Sequence, residues 1–314
     1  MGLSDIMGLN VTPVWLVTTV VLITAAVFYL YSLMLRHLAK TTVKNKVVLI
    51  TDSLSALGKE CAKLFHTSGA RLILCGNNWE KLEDLAEQLT DESDPTITFS
   101  PKLVELDFID MESVPDVISE ILECYGCLDI LIFNSSLKVK APVQNLSLEM
   151  DRTVMDVNYF GPMTLAKGVL PSLISRRTGH ILLVNSIQGR LTVPFRATYA
   201  ASKHAVQAFF DCLRAEVQQY GITVSTVNHT FIKSPSTEDE AMRTTFTKQK
   251  SFGVNPKQIA SEILKTLSSK KKEILMARSF SKAAIYTRSL FPNLFFAIMA
   301  AGVKDTTAVE WPDE

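Results

Sequence analysis

Val47-Val48-Leu49-Ile50 is a run of four apolar, mostly β-branched residues with no alternation between apolar and polar side chains. A strand open to water on one face alternates; a strand covered on both faces does not. Residues 47–50 therefore read as a strand with helices on either side. Working outward, similar short runs recur at 72–75, 103–106, 130–133, 181–184, 224–227 and 274–276. Longer stretches that read as helices, among them 80–89, 114–124 and 202–220, fill the gaps. Short buried runs alternating with helices are the pattern of a parallel sheet with crossover helices. The expected fold is α/β: one doubly wound parallel sheet of about seven strands over residues 45–278. No internal repeat interrupts it. The polar segment 233–252, containing Pro235, follows the sixth run and reads either as a mobile substrate loop or as a solvated connection.

Residues 14–35 contain no charged side chain. As a helix rising ~1.5 Å per residue they reach ~33 Å, enough to cross a bilayer. A cleaved signal would have a basic start and a shorter apolar run, whereas this N-terminus carries Asp5 and no Lys or Arg before the run. Arg36, Lys40, Lys44 and Lys46 follow it. The positive-inside rule holds such a flank in the cytosol, together with the domain behind it. The organisation expected is a flank (1–13), a transmembrane anchor (14–35), a basic linker (36–44), the sheet domain (45–278) and an apolar to amphipathic tail (279–314). A single-pass protein of the endoplasmic or sarcoplasmic reticulum membrane, with its main domain facing the cytosol, follows from that order. Two of the four Asn-X-Ser/Thr acceptor patterns, at Asn134 and Asn228, fall at strand ends where a glycan does not fit, and a cytosolic domain removes the conflict. In the tail, residues 290–299 are too short and too broken by Pro292 and Asn293 to span; they read equally as a helix lying on the membrane or as a buried oligomer face.

Lys+Arg and Asp+Glu balance at 32 each, which removes the electrostatic argument for nucleic acid. The mean hydropathy of +0.18 is high for a purely soluble chain, and the excess sits at the two ends. Five scattered cysteines are not a disulfide framework and suit a reducing compartment. Cys124 and Cys127 form a lone C-x-x-C without the second pair that a zinc site needs, so a structural reading is favoured over a redox one. No His/Cys/Asp cluster has metal-ligand spacing.

Tyr199-Ala200-Ala201-Ser202-Lys203 is the sharpest chemical feature. On a helix, positions i and i+4 share a face, so Tyr199 and Lys203 project together. A phenol near pKa ~10 exchanges protons poorly at neutral pH, and a neighbouring ammonium favours the phenolate and pulls that value down. The tuned phenol then exchanges a proton with an alcohol or carbonyl while hydride moves elsewhere. Alone, the pair also reads as a solvated surface contact. Ser186, thirteen residues earlier at the end of a strand, supplies a hydroxyl for a substrate oxygen. Asn158 sits mid-helix, where Asn is a poor former; it reads either as a helix kink or as the holder of a water in a proton relay beside Lys203. His204, next to Lys203, reads as a structural histidine.

These four residues at these spacings resemble the short-chain dehydrogenase/reductase family from about Lys44 to Met276. Gly58-Lys59-Glu60-Cys61-Ala62, Asn158-Tyr159-Phe160-Gly161-Pro162 and Phe209-Phe210-Asp211-Cys212-Leu213-Arg214-Ala215-Glu216 are most similar to its member 7B and 7C subgroup, nearer 7C. The resemblance implies a single Rossmann domain, NAD(H) or NADP(H) as cofactor, and Asn158, Ser186, Tyr199 and Lys203 as the catalytic set, Lys203 also holding the nicotinamide ribose. It implies a homodimer through the helices around Asn158 and Tyr199.

The chain departs from the family where the cofactor phosphates lie. The family turn T-G-x-x-x-G-x-G stands here as Thr51-Asp52-Ser53-Leu54-Ser55-Ala56-Leu57-Gly58, keeping only the last glycine. Asp52 adds bulk and negative charge beside an anionic pyrophosphate unless its side chain turns away. The helix starting near Leu57 still offers its amides to phosphate. N-N-A-G becomes Phe133-Asn134-Ser135-Ser136, P-G becomes His229-Thr230, and Ser234 replaces the threonine that meets the carboxamide. By resemblance the cofactor set is Thr51, Ser53, Ser55, Leu57, Gly58, Asn77, Asp107, Asn134, Tyr199, Lys203 and Ser234. Cys75-Gly76-Asn77-Asn78 carries neither the acid that selects NAD nor the Arg that selects NADP. The expectation is a membrane-bound oxidoreductase interconverting a lipophilic alcohol and its carbonyl, retinoid- or steroid-like, with Ser186 orienting the substrate. The competing reading is a catalytically weak or inactive membrane scaffold on the same frame.

Overall fold

A computed structural model describes residues 11–230, 232 and 253–303. Seven strands form one parallel sheet in the order β3-β2-β1-β4-β5-β6-β7. They are β1 (Val47–Ile50), β2 (Arg71–Gly76), β3 (Lys102–Glu105), β4 (Ile130–Phe133), β5 (Gly179–Ser186), β6 (Ile222–His229) and β7 (Glu273–Met276). Every strand expected from the apolar runs is present, β3 shifted one residue earlier and β2, β5, β6 and β7 longer than their runs. All four residues of β1 and of β4 are buried, as strands covered on both faces require.

The alternation within each strand divides the core in two. Val47 and Leu49 face one layer, with Leu131, Ile181 and Val224; Val48 and Ile50 face the other, with Leu72, Ile132 and Leu182. Helices α4 (Val114–Glu123), α6 (Gly161–Arg176) and α7 (Ala197–Val217) cover the first layer. Helices α2 (Ala56–Thr67), α3 (Trp79–Asp91) and α8 (Pro256–Ser269) cover the second, with Val43 at the end of α1 (Val11–Val43). Phe210 of α7 meets Phe133 of β4 edge to face at 5.2 Å, a pairing that adds to the burial of both rings. The chain order reverses between β1 and β4, and this switch point opens a crevice at the carboxyl ends of the strands.

Asn158 departs from the sequence expectation. Between α5 (Leu148–Met155) and α6 the chain makes a π turn, Asp156–Phe160, closed by Gly161 N–H donating to the Asp156 carbonyl. The widened turn holds Asn158 buried rather than in a regular α-helix. Helix α7 begins five residues before the expected start, placing Tyr199 in its first turn.

α1 is 33 residues long, and Val21, Leu22, Phe28 and Leu30 on it are exposed. Among the described residues no helix is long and apolar enough to cross a membrane; the described side chains of α1 run unbroken only over 17–31. The tail forms α9 (Ser279–Leu290) and α10 (Pro292–Val303), with the break at Phe291 and Pro292. Phe295 packs with Ile187 and Leu191, while Phe280, Leu290, Phe291 and Ile298 are exposed.

Candidate active site

The crevice begins at the turn after β1. Asn134, at the end of β4, ties that turn down: its Oδ1 accepts from Asp52 N–H at 3.0 Å and its Nδ2 donates to the Asp52 carbonyl at 2.6 Å. Thr51 Oγ1 donates to Asn134 Oδ1 at 3.3 Å and accepts from Asn134 N–H at 3.2 Å. Ser55 is the N-cap of α2, its hydroxyl accepting from Gly58 N–H at 3.1 Å. Gly58 is the residue the turn cannot lose, since a Cβ there would stand 1.9 Å from the Asp52 carbonyl oxygen. Asp52 itself is absent from the positive-φ positions, so the lost glycine was not needed for a left-handed backbone. Ser53 is fully buried, its hydroxyl turned back to the Ile50 carbonyl at 3.3 Å; it holds the turn and lines neither cleft.

Two adjoining clefts follow the crevice. One, of about 190 Å³, is lined by Asn77, Asp107, Thr51 and Ser135 among others. The other, of about 240 Å³, brings together Ser55, Leu57, Asn134, Ser186, Tyr199 and Lys203. Asp52 lines both. Its Oδ1 accepts from Ser55 N–H at 3.1 Å, and burial raises its pKa above the usual carboxylate value. Ser234 lies outside the described residues.

Tyr199 is 4% exposed, with its hydroxyl 3.4 Å from Ser136 Oγ. Burial raises its pKa, against the lowering effect of the Ser136 and Ser186 hydroxyls. Lys203 Nζ lies 5.7 Å from the Tyr199 ring centre and donates to the Ser135 carbonyl at 3.5 Å. Burial, helped by the Lys138 charge, lowers the Lys203 pKa to about 7. The expected lowering of the Tyr199 phenol is therefore not the net direction in the protein alone, where burial outweighs it. Ser186 Oγ accepts from Gln188 N–H at 3.1 Å, which fixes the hydroxyl at the end of β5.

Asn158 joins the set indirectly. Its Oδ1 accepts from Leu137 N–H at 2.8 Å, and its Nδ2 donates to the Leu137 carbonyl at 2.8 Å and to Ser202 Oγ at 3.0 Å. Those bonds clamp the loop after β4 onto the helix carrying Tyr199. His204 Nδ1 bonds the Ala200 carbonyl at 2.8 Å within α7, as a structural histidine does. Cys124 and Cys127 are free thiols, and among the described residues no group of side chains can hold a metal ion.

Among the polar residues that line the cleft, Lys138 and Asn185 were not assigned a site role from the sequence, and Ser136 was noticed only as part of an altered motif. Asn185 adjoins Ser186, whereas no local pattern marks Lys138, which reaches the cleft by the path of its loop. His229, noticed only as a departure, also lines it; its Nδ1 bonds the Thr230 carbonyl and burial lowers its pKa to about 4.

The donors and shapes present fit a nicotinamide dinucleotide. The amino end of α2 opens on the cleft through Ala56 and Leu57, with Lys138 and Lys203 among the other residues that line it. The tight approach of Gly58 to the Asp52 and Ser53 backbone is the kind of close packing that a dinucleotide turn uses, and Ser55 and Leu57 beside it would hold the phosphates.

The profile of the short chain dehydrogenase family matches residues 46–244. The dehydrogenase/reductase SDR family member 7C-B of Danio rerio is 73% identical, covering 100% of both chains. Member 7C of Homo sapiens is 52% identical over 92% of this chain and 95% of its own. Member 7B of Bos taurus is more distant, 41% identical over 87% of this chain and 86% of its own. Among solved structures, a metagenomic short-chain oxidoreductase in complex with NADP superposes with a TM-score of 0.62 at 19% identity, covering 75% of this chain and 97% of that one. A short-chain dehydrogenase from Streptomyces avermitilis gives 0.65 at 21% identity, over 83% and 98%. These likenesses to solved structures show the fold.

Proposed function

Because the chain belongs to the short-chain dehydrogenase/reductase family, we propose that it interconverts a lipophilic alcohol and its carbonyl with NAD(H) or NADP(H), at a membrane. The observation that carries this reading is the meeting of Ser186, Tyr199 and Lys203 in one cleft. Beside it, past the ends of β5 and β6, lies an apolar cavity of about 640 Å³. A retinoid- or steroid-like skeleton suits such a cavity.

Thr51, Ser55, Leu57 and Asn134 form the phosphate end of the cofactor site, and Asn77 and Asp107 its adenosine end. The bound nicotinamide supplies or accepts the hydride. In reduction, the Tyr199 hydroxyl donates its proton to the carbonyl oxygen, which the Ser186 hydroxyl holds by a second hydrogen bond. In oxidation the same phenol oxygen receives the alcohol proton. Lys203 in its ammonium form lowers the cost of the phenolate, and negative phosphates near it favour that form. Asn158 positions Tyr199 by clamping Leu137 and Ser202.

Residues 14–35 serve as the anchor, and the basic flank from Arg36 to Lys46 keeps the domain on the cytosolic side of the reticulum membrane. An apolar substrate partitions into the bilayer beside such a site. A homodimer through the helices around Asn158 and Tyr199 suits the same reading.

Tyr199→Phe tests it. Turnover of alcohols or carbonyls should drop by about 10²–10⁴-fold, the range of a lost general acid–base. The melting temperature should stay as it was, which separates a lost reaction from a lost fold. Undiminished turnover in that variant would contradict the assignment.

A further inference from the structure

The two tail helices carry apolar surface that the rest of the described chain does not cover. Phe295 and Met299 of α10, one turn apart, pack with Ile187 and Leu191 and define the inner side of the helix. Each residue advances the helix by ~100°, which sets Leu294 and Ile298 on one flank of that inner side and Phe296 on the other. All three are more than half exposed. Residues 292–303 contain no charged side chain. A helix apolar on both flanks suits a fluid apolar medium that wraps it, whereas a second copy of the chain would cover one face. α9 is amphipathic instead, with Phe280, Tyr286 and Leu290 exposed beside Lys282. From Ile274 to Val303 the chain has Arg278, Lys282 and Arg288 and no Asp or Glu, a charge that complements anionic headgroups. Phe280 and Ile298 also belong to the wall of the cavity of about 640 Å³, so its mouth lies on this same surface.

We propose that α9 and α10 form a second membrane contact: they lie along an anionic lipid surface, with α10 and the apolar stripe of α9 among the acyl chains and the cavity mouth facing them. At 12 residues α10 extends ~18 Å, short of the ~30 Å of a bilayer core, so it lies within one leaflet. The contact rests on the membrane setting proposed above and is independent of the reaction. It adds the place where an apolar ligand enters, from the bilayer between α9 and α10.

The test is tryptophan quenching in the full chain, reconstituted in vesicles of phosphatidylcholine and phosphatidylserine whose acyl chains are brominated near the headgroups. Trp15, Trp79 and Trp311 are replaced by Phe, and one reporter is added: Phe280→Trp at the cavity mouth, or Leu294→Trp or Phe296→Trp on the two flanks of α10. A ring ~5–10 Å below the headgroups meets the bromines, so each reporter should lose roughly half of its emission or more. The control keeps Trp79 alone, exposed on α3 toward the β3 edge of the sheet and away from β7, and should be unchanged. The reporter positions are exposed, so the variants should melt with wild type; Ile298→Trp takes the place of Leu294→Trp if that variant melts early. Vesicle-bound protein whose α10 reporters ignore the bromines overturns the proposal, as does equal quenching of Trp79. Quenching on one flank only, with a dimer that Phe296→Ser dissociates, gives the surface to a second copy and overturns it too. An unquenched Phe280→Trp beside quenched α10 reporters overturns the placement of the cavity mouth. Protein that does not stay with the vesicles removes the membrane setting along with the contact. Quenched reporters in protein without turnover leave the contact standing and count against the reaction alone.

Discussion

Substituting Gly58 by Ala tests the cofactor turn through the one glycine it retains. An added Cβ would lie 1.9 Å from the Asp52 carbonyl oxygen and 2.8 Å from the Ser53 Cα, whereas ordinary contact begins near 3.4 Å. About 1.5 Å of movement is required, and it cannot come from a flexible side chain because both neighbours are backbone. Asn134 holds Asp52 at its N–H and its carbonyl, so the movement must come from α2. Overpacking of this kind costs about 1–3 kcal/mol. Displacing the first turn of α2 by an ångström or more also takes its amides out of line with an anion, since hydrogen bonds weaken steeply with misalignment. Dinucleotide affinity should decline by a hundredfold or so, about two such bonds. The assay is fluorescence titration with NADPH and NADH beside a melting curve. Gly126→Ala is the control: a Cβ there meets nothing within 4 Å, but φ is +67°, so it should cost about 1 kcal/mol of stability and no affinity. Gly58→Ala protein that binds dinucleotide as tightly as wild type would refute the reasoning.

Asn158→Ala removes the clamp between Leu137 and Ser202 and leaves the Leu137 N–H and carbonyl without their partner. The expected loss is about 3 kcal/mol, visible as a lower denaturant midpoint, together with reduced turnover because Tyr199 loses its support. The stability should also be acid-sensitive. His180 Nε2 bonds Ser225 Oγ at 2.8 Å, and burial lowers the His180 pKa to about 4. A lowered histidine pKa gives stability that is complete above the unfolded value near 6.5 and lost as pH falls toward 4, because the unfolded chain binds the proton more readily. His229, lowered to about 4, acts in the same window. Unfolding midpoints measured from pH 7 to 4 should decline, and His180→Gln should flatten the decline by roughly half; an unchanged slope would count against the buried neutral imidazole.

The strands were legible because their chemistry is local. Residues buried on both faces must be apolar throughout, and 47–50 or 130–133 announce that without reference to the rest of the chain. Tyr199, Lys203 and Ser186 were legible through spacing, since a helix turn and a strand end fix where they point. Other features depended on tertiary placement. The Lys203 pKa follows from its burial among neighbours, and no i to i+4 rule reports that burial. Ser53 occupies a motif position yet faces the core, because its hydroxyl finds the Ile50 carbonyl. The π turn at Asn158 is a one-residue change in hydrogen bonding that no periodicity marks. Lys138 reaches the cleft only by the path of its loop.

Titration of the purified full-length protein with NADH and NADPH is the most direct measurement of whether a cleft with Asp52 in its turn still serves an oxidoreductase. Saturable binding of at least one dinucleotide in the micromolar range, weakened by Gly58→Ala and kept by Gly126→Ala, is the predicted result. No binding of either at millimolar concentration would contradict it.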